Sequence, residues 1–392
     1  MEAATDPPPG RRSRKRRRET QDHTTAAAAA ASSTSILDLP NQITCDIISR
    51  LPIKSIFSSK VICPRFRNLT LEPGFPQLHF SRSPLSLILF RRSKNDKPTT
   101  FGILPLDDLD SRRSAMKFET QFESSGDNRL TIVNSCNGLI CLANNHYHNI
   151  VYVCDPITRQ HFRLPEFQNL VINENLSFRF GYGFGYCRSN DLFKVVKFTT
   201  EPFGLSLDCC VYTLGVDDEW RTLGNTGQPI PRRHNFVFLN GALHWIGWKD
   251  SKLLLCYFNI EKEQCGNLSA VPCQIAEMPL GRFHLGIVDN CLYVRDEQIP
   301  PLPVNICVMK DYGNIVSWDV AWAIARPLPL GLDLKPVKTL EDGRVMMIVK
   351  QKVLVSYDLV TRVFQRLSYQ GVGFWEESTA DVPSFLPLPG AV

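Results

Sequence analysis

Few side chains in this 392-residue chain stand at spacings that catalysis or metal binding would need. The run Gly181-Tyr182-Gly183-Phe184-Gly185 has part of the glycine pattern of a dinucleotide-binding loop, but strand-like sequence follows it where that loop needs a helix. A strand on which another backbone packs closely explains these glycines better. His146, His148 and His161 could be taken as a metal cluster, yet the asparagines around the first two are typical of a polar hairpin loop.

The other residue types that carry chemistry also lack a suitable arrangement. None of the thirteen cysteines forms a Cys-x-x-Cys pair, which a structural zinc site would use, and most lie in apolar stretches. We therefore expect reduced cysteines that act as small hydrophobic residues. The chain contains no phosphate-binding loop, His-Glu-x-x-His or Gly-x-Ser-x-Gly motif, and no Cys, His and acid set close enough in sequence to suggest a covalent nucleophile. The sequence thus predicts a protein that is not an enzyme and needs no metal or cofactor.

Charge and hydropathy exclude several classes of protein. The chain is 43% hydrophobic and 21% charged, enough to bury a sizeable core, and its net charge is +5. Residues 1–35 hold +3 of this charge, so the remaining body is nearly neutral, which does not favour a generic nucleic-acid or membrane binder. The longest apolar runs are far shorter than the roughly 20 residues of a membrane span, and no apolar signal segment follows the basic start.

Residues 1–35 form a basic and alanine-rich tail that offers little to bury, so we expect disorder there. Its cations are grouped in one run, which comprises Arg11, Arg12, Arg14, Lys15, Arg16, Arg17 and Arg18. Such a run is a candidate nuclear-import signal, and the alternative is a solvated tail without a role. We expect the protein in the nucleus and the cytoplasm.

Residues 36–80 have a helical pattern. The apolar residues from Ile43 to Leu51 follow the spacing of one helical face, Pro40 suits its first turn and Pro52 ends it. Two further short helical stretches follow, up to Leu69. Three short helices carry more apolar surface than so small a unit can bury by itself. Part of that surface must therefore meet the rest of the chain or a partner protein.

This segment resembles the F-box, a motif in which two Leu-Pro dipeptides flank an apolar helix and a Val-Cys-like stretch and an aromatic residue follow. Leu39-Pro40, Leu51-Pro52, Lys60-Val61-Ile62-Cys63 and Phe66 stand at these positions. An F-box docks on a Skp-type adaptor of a cullin–RING ubiquitin ligase. By motif match, the resemblance implies that the adaptor contacts or the motif's own small core come from Leu39, Pro40, Ile43, Ile47, Leu51, Pro52, Ile56, Val61 and Phe66.

Residues 81–375 predict an all-β domain built from repeated units. Short β-branched and aromatic runs flank turn dipeptides that recur about every 50 residues, with one double interval. These dipeptides are Asn137-Gly138, Asn240-Gly241, Asp289-Asn290 and Asp342-Gly343. A second marker, beginning at Asp155, Asn259 and Asp358, trails the turns at a similar distance. Five or six such four-stranded units predict a kelch-like β-propeller, with a pair of β-sandwiches as the alternative, and residues 376–392 form a C-terminal tail.

The β domain also resembles a known family. Segments that look like the plant F-box-associated interaction domain, in the family's order, are Asn134-Ser135-Cys136-Asn137-Gly138, Cys154-Asp155-Pro156, Gly183-Phe184-Gly185-Tyr186, Leu239–Trp245 and Ser317-Trp318. The resemblance covers about residues 36–370. It implies a plant substrate receptor of an SCF-type (Skp–cullin–F-box) ubiquitin ligase. The F-box would bind the adaptor, and the β domain would capture an unknown protein substrate for ubiquitination and degradation.

A receptor of this kind would capture its substrate with loops at one face of the propeller, where arginines and aromatic residues act as anchors. The candidates are Arg232, Arg233, His234, Trp248 and the loop Gln298–Pro303. For each of them, a solvated loop or simple core packing is the favoured alternative. The tryptophans expected in the propeller core are Trp245, Trp318 and Trp322.

Three other interpretations remain open at this point. The β domain could bind a glycan or small molecule without a ligase role, which would need exposed Trp or Tyr beside acids and amides. The basic run could bind nucleic acid in the nucleus. Finally, Asn41-Gln42 and Pro64 depart from the F-box pattern, which would fit an F-box whose adaptor contact has been lost.

Overall fold

The computed structural model describes residues 35–92, 98–107, 115–122, 130–144, 150–167, 179–200, 207–229, 231, 236–249, 252–271, 282–297, 303–324, 334–350, 353–367 and 375–389. The basic run at 11–18, the triplet 232–234 and all but Pro303 of the loop Gln298–Pro303 lie outside them. The chain divides into two units after Pro40, and in the described part of the first unit a short 3-10 turn, Ile36–Asp38, is capped by Ser35. Residues 41–392 form a second, compact unit.

Four short helices open the second unit. They are α1 (Asn41–Ile48), α2 (Ile53–Ile62), α3 (Pro64–Leu69) and α4 (Gly74–Phe80). Pro52 precedes α2, and Pro64 stands in the first turn of α3, where its missing N–H costs no hydrogen bond. The sequence predicts three helices. The fourth helix, α4, is not predicted because Pro73, Gly74 and Pro76 are typical of loops.

The rest of the unit is built from strands. The first eight are β1 (Ser86–Arg91), β2 (Thr99–Pro105), β3 (Met116–Thr120), β4 (Leu130–Cys136), β5 (Leu139–Asn144), β6 (Val151–Cys154), β7 (His161–Arg163) and β8 (Arg179–Cys187). The next eight are β9 (Leu192–Thr200), β10 (Leu207–Thr213), β11 (Arg221–Asn225), β12 (Val237–Leu239), β13 (Ala242–Lys249), β14 (Lys252–Asn259), β15 (Gln264–Ala270) and β16 (Arg282–Val288). The last are β17 (Cys291–Glu297), β18 (Val304–Met309), β19 (Trp318–Ile324), β20 (Leu334–Thr339), β21 (Val345–Val349), β22 (Val353–Tyr357), β23 (Phe364–Arg366) and β24 (Glu377–Asp381).

These strands form six antiparallel four-stranded sheets, the blades of a β-propeller. Blade 1 joins β24 to β1–β3, and blades 2 to 6 are β4–β7, β8–β11, β12–β15, β16–β19 and β20–β23. First strands of successive blades contact each other, as β4 contacts β8 and β24. The propeller prediction is confirmed. The number of blades is six, because blade 3 occupies the double interval between the turn dipeptides.

Blade 1 closes the ring with strands from both ends of the β domain. The sequence places residues 376–392 in a tail, but β24 pairs with β1 from Ser86–Asp381 to Phe90–Glu377. Beyond β24, Phe385, Leu386 and Leu388 are also buried. β24 is short and polar, and its pairing partner β1 is far away in the sequence. No local sequence pattern therefore predicts this strand.

The turn dipeptides have the backbone conformation that tight hairpins need. Asn137-Gly138, Asn240-Gly241 and Asp289-Asn290 each have positive φ at both residues, as a type I′ turn requires. Gly138 is further constrained because a Cβ there would come within 2.5 Å of the Ser384 backbone nitrogen. These turns join the first and second strands of their blades.

The second sequence marker is the turn between the third and fourth strands. Oδ1 of Asp155 accepts hydrogen bonds from the N–H groups of Ile157 (2.7 Å) and Thr158 (3.2 Å). Oδ1 of Asp358 accepts the equivalent bonds at 2.8 and 3.0 Å. A left-handed residue follows each aspartate by four positions, with φ of 67° at Arg159 and 58° at Arg362. Because the strands are antiparallel, both kinds of turn lie at one end of the propeller, which we call the turn end. The first strand of each blade starts at the opposite end, which we call the entry end.

The helices and the propeller share a hydrophobic core. Ile48, Ile56 and Phe75 are buried in one cluster with Phe90 and Phe101 of blade 1. Burial of each large apolar side chain contributes roughly 1.5–3 kcal/mol, so this cluster fixes the helices to the propeller.

Further clusters lie between the blades. Trp245 is fully buried beside Phe198 and Phe236, as expected, whereas Trp318 and Trp322 are only partly buried. The glycine-bearing strand is confirmed as β8, because a Cβ on Gly185 would come within 2.7 Å of the Phe238 ring.

Candidate functional site

Apolar side chains are exposed on the helices, where the sequence predicts contact with an adaptor. At the end of α2, Val61 is 87% exposed and Ile62 is 79% exposed. Ile43 on α1 is 48% exposed, and Leu71 just after α3 is 70% exposed. Exposed apolar residues on helices that pack together are typical of a protein-binding surface. Ile62 and Leu71 are not among the adaptor residues predicted from the sequence. Ile62 follows the motif residue Val61, and Leu71 lies two residues after the end of α3.

The other predicted adaptor residues differ in burial. Pro40 and Pro52 are exposed, and Leu39, Ile47, Leu51 and Phe66 are partly buried. Ile56 is fully buried in the core shared with blade 1. A partner cannot reach Ile56 without opening that core, so its role is packing and not docking.

Ionic and polar contacts hold the helices in place. The guanidinium of Arg82, which follows α4, pairs with the carboxylate of Asp46 on α1 and also donates to the Asp46 carbonyl at 3.0 Å and to Ser49 Oγ. Arg65 on α3 donates to Asn41 Oδ1 at 2.8 Å. The exposed surface therefore has a fixed geometry, which reduces the entropy that a partner would lose on binding.

The chain beyond β24 passes beneath the helices and joins them to the propeller. The Phe385 ring lies 4.9 Å from the His79 ring of α4 and 5.9 Å from the Phe57 ring of α2, measured between centroids. Nζ of Lys60 lies 4.7 Å from the Phe385 centroid, a cation–π distance. One aromatic side chain thus contacts two helices.

Ionisable groups at this joint are shifted by burial. Desolvation lowers the pKa of His79 to about 4, helped by the charge of Lys60, so the imidazole is neutral near pH 7. Burial also lowers the pKa of Lys60 and raises that of Asp155 to about 6. The attraction between these two groups opposes both shifts, and hydrogen bonds from Thr158 and Ile157 further oppose the shift of Asp155. The contact between Phe385 and the helices is therefore mainly apolar, and the Lys60 cation lies at its edge.

A cavity of about 1070 Å³ opens at the turn end of the central channel. Among its lining residues are the amides Gln77, Asn137, Asn240, Asn259 and Asn290 and the charged residues Arg188, Glu261, Asp289, Lys338 and Asp381. Burial raises the pKa of Asp381 to about 7, while the N–H groups of Val382 and Gly138 and Ser135 favour its charged form. The lining therefore offers many hydrogen-bond donors and acceptors with little net charge.

The entry end has a smaller cavity of about 430 Å³ between the starts of the first strands. Of the predicted substrate residues, Trp248 lies near this end, at the next-to-last position of β13, and Pro303 is exposed at the start of β18. Trp248 is partly buried against the core between blades 4 and 5, so packing accounts for part of it. Residues 232–234 lie outside the described ranges, so their grouping with Trp248 stays a prediction.

Comparison with protein families identifies both parts of the chain. Residues 86–286 match the F-box associated beta propeller domain, and residues 36–78 match the F-box domain. The chain belongs to the F-box-associated β-propeller family. Its helical region is the F-box, and the family recognised from sequence is confirmed.

Relatives of this F-box protein occur in Arabidopsis thaliana. "F-box protein At3g07870" is 26% identical over 86% of this chain and 89% of its own length. "F-box/kelch-repeat protein At3g23880" is 23% identical over 82% of this chain and 88% of its own length. Among solved structures, TolB from Acinetobacter baumannii has a TM-score of 0.42 and 10% identity over 81% of this chain and 72% of that chain, too distant to support an argument.

Within the described ranges of the F-box protein, no group of three or more His, Cys, Asp and Glu side chains is arranged to hold a metal ion. No helix in the same ranges has the length and apolar character needed to cross a membrane.

Proposed function

We propose that this protein is the substrate-recognition subunit of an SCF-type E3 ubiquitin ligase. In this role the F-box binds a Skp-type adaptor and, through it, a cullin–RING ligase. The propeller holds a protein substrate and raises its effective concentration beside the ubiquitin-charged enzyme. The subunit itself needs no catalytic group for this function.

The observation that carries the proposal is the fusion of an F-box to a propeller with apolar F-box side chains left in solvent. Val61 and Ile62 stand on a helix whose other face is buried against blade 1. A free domain would gain by burying these two side chains, and an adaptor with an apolar groove would cover them. The ion pair of Arg82 keeps α1 in position for the same partner.

Co-purification with a plant Skp-type adaptor tests this function. We expect the wild type to retain the adaptor and a Val61→Asp/Ile62→Asp variant to lose it, because docking would bury two carboxylates without partners. Both positions are exposed, so the variant should fold normally. Leu39→Ala/Pro40→Ala should weaken retention in the same way.

The matched control is Ser58→Asp, an exposed position on the same helix. It should retain the adaptor at the wild-type level. If neither the wild type nor Ser58→Asp retained the adaptor, the protein would be an F-box protein whose adaptor contact has been lost. The proposal would then be abandoned.

We also propose that the basic run Arg11–Arg18 directs nuclear import of part of the protein pool. A fluorescent protein fused to residues 1–35 should accumulate in the nucleus, and replacing the seven cations with Ser should return it to the cytoplasm. Retention of the fusion on DNA or RNA that weakens with salt would instead favour direct nucleic-acid binding.

A second candidate function is recognition of a small polar ligand or glycan, and the cavity at the turn end favours it. Its amides can each donate and accept hydrogen bonds, as sugar hydroxyls do, and Tyr186 and Phe238 add aromatic surface. Titration with neutral oligosaccharides, comparing wild type with Gln77→Leu, tests this function separately from adaptor retention. Binding that the variant loses would support it.

A further inference from the structure

Two lysines face each other at the entry end of blade 4. Lys249 ends β13 and Lys252 begins β14, and the register places them directly opposite one another. Both side chains are exposed. Like charges directly opposite in an antiparallel pair repel and destabilise the hairpin. Asp250, which lies between them in the sequence, is outside the described residues.

Other cations stand at the same end of the molecule. Arg91 ends β1, Arg366 ends β23, and Lys350 follows β21, all with exposed side chains. In antiparallel blades these positions share one end of the propeller with the lysine pair.

Several acids near this end already have cationic partners. The guanidinium of Arg92 contacts the carboxylates of Glu376 (3.4 Å) and Glu377. Arg163 pairs with Glu166 at 2.5 Å. Glu119 on β3 and Asp208 on β10 are further acids near the same end.

The turn end has the opposite tendency. Its exposed turns carry acids such as Asp218, Glu219, Glu341 and Asp342. Among the described residues, exposed cations thus lie at or beside strand ends at the entry end, and these exposed acids stand in turns at the other end. An end with one prevailing sign attracts partners of the other sign.

We propose that the entry end binds an acidic segment of a protein, with the Lys249–Lys252 pair as its principal anion-binding element. The inference rests on the proposed function, because it names the class of substrate that the receptor takes. A carboxylate placed between two opposed lysines relieves their repulsion as it binds. A local arrangement that lowers stability is typical of a functional site.

A protein ligand fits these observations better than a nucleic acid. The lysine pair and the three exposed cations named after it lie on three different blades, paired acids lie near them, and within the described ranges they do not form a continuous basic stripe. Gln77 and Phe80 of α4 and Leu386 lie at the turn end, where they line the larger cavity. An acidic partner at the entry end would therefore approach the propeller from the end opposite to these residues.

The test uses the full-length protein in which Ser replaces the seven cations of the run Arg11–Arg18, so that this run cannot bind the acidic probe. Binding of fluorescein-labelled decaglutamate is measured by fluorescence anisotropy. We expect binding at low ionic strength that weakens as salt is added. Lys249→Glu/Lys252→Glu should weaken it about tenfold or more, equivalent to about 1.4 kcal/mol. The matched control is Lys262→Glu/Arg362→Glu, which makes the same charge change on exposed residues of the turn end. It should change the affinity by less than about twofold, the scale of screened long-range effects.

Three results would overturn the inference. Decaglutamate could fail to bind at low ionic strength, or both double variants could weaken it equally, which would mean a response to net charge alone. An oligothymidylate of ten nucleotides could bind more tightly and depend on the same lysines, which would assign the surface to nucleic acid. Adaptor retention by the Lys249→Glu/Lys252→Glu variant is measured in parallel, so failure of the receptor role is seen separately.

Discussion

Single residues at both ends of the propeller hold charge in unfavourable surroundings. Asp381 ends the closing strand β24 beside the central cavity, where burial raises its pKa to about 7. At the entry end, Lys249 and Lys252 face one another across a hairpin. Burial of the Asp381 carboxyl lowers the free energy of unfolding by an amount that depends on pH. Repulsion between the two lysines lowers it by an amount that depends on the charge at the opposing position. One substitution at each site measures the effect.

Asp381→Asn should change the pH dependence of stability. A raised carboxyl pKa means that the folded protein binds this proton more tightly than the unfolded chain, where Asp titrates near pH 3.9. The wild type therefore loses stability from this group as pH rises from about 4 to about 7. We expect the unfolding free energy of the variant minus that of the wild type to rise over this range by up to about 4 kcal/mol. Urea denaturation at a series of pH values measures it.

Asp342→Asn is the control for this prediction. Arg344 beside Asp342 lowers the pKa of that exposed carboxyl, so its variant should show no such rise. A difference for Asp381→Asn that stays constant with pH would contradict the prediction.

Lys252→Glu should make the protein more stable while it weakens binding of an acidic segment. The new carboxylate would attract Lys249 across the hairpin, where two cations now repel each other. The expected gain is about 0.5 kcal/mol at low salt, and it should shrink as salt is added. Chemical denaturation measures it, with Lys262→Glu as a control that should change little. Loss of stability would mean that another cation-binding group already neutralises Lys252.

Among the elements, the segment after β24 has the widest influence. Residues 382–388 leave blade 1 and pass the Asn137-Gly138 turn of blade 2. Phe385 is buried against the helices, and Leu388 is buried among residues of blades 2 and 3. Phe385 there contacts Phe57, Phe75 and His79, which lie on α2 and α4. The F-box is therefore held by a segment that follows the propeller in sequence.

Phe385→Ala should loosen the F-box more than the propeller. Removal of a buried phenylalanine ring costs about 3–5 kcal/mol in a well-packed core. We expect faster amide hydrogen exchange in α2 and α4, together with a lower unfolding free energy. Val363→Ala, at a side chain that is 58% exposed, should leave both quantities nearly unchanged. Equal acceleration in every blade would show that the segment supports the whole molecule and not the joint.

At the scale of the whole molecule, the ring depends on closure. Blade 1 draws three strands from one side of the β domain and its innermost strand, β24, from the other. Closure removes an exposed sheet edge in the centre of the propeller, which would otherwise pair with other chains.

Truncation after Glu376 should therefore abolish the native ring. We expect loss of cooperative thermal unfolding and soluble aggregates in gel filtration, because β1 and β4 lose their neighbour. Removal of residues 390–392 alone is the control and should leave a cooperative transition. A monomeric, cooperatively folded truncation would mean that five blades and a three-stranded sixth suffice.

The sequence by itself determined the local structure. Type I′ turns need residues that tolerate positive φ, so Asn137-Gly138 and its repeats mark the hairpins without any knowledge of the fold. Pro52 and Pro64 separate the helices for an equally local reason, the missing N–H. The repeat interval then predicts the propeller, and the motif residues predict the F-box.

Only the tertiary structure decided which distant residues meet. Pairing of β24 with β1, burial of Ile56 against blade 1 and contact of Phe385 with two helices all join segments far apart in the chain. Lys249 and Lys252 face each other because of the register of β13 and β14, and the direction of these strands places the pair at the entry end. A turn depends on the torsion preferences of its own residues, whereas such contacts depend on closing long loops, whose cost and geometry no short stretch of sequence records.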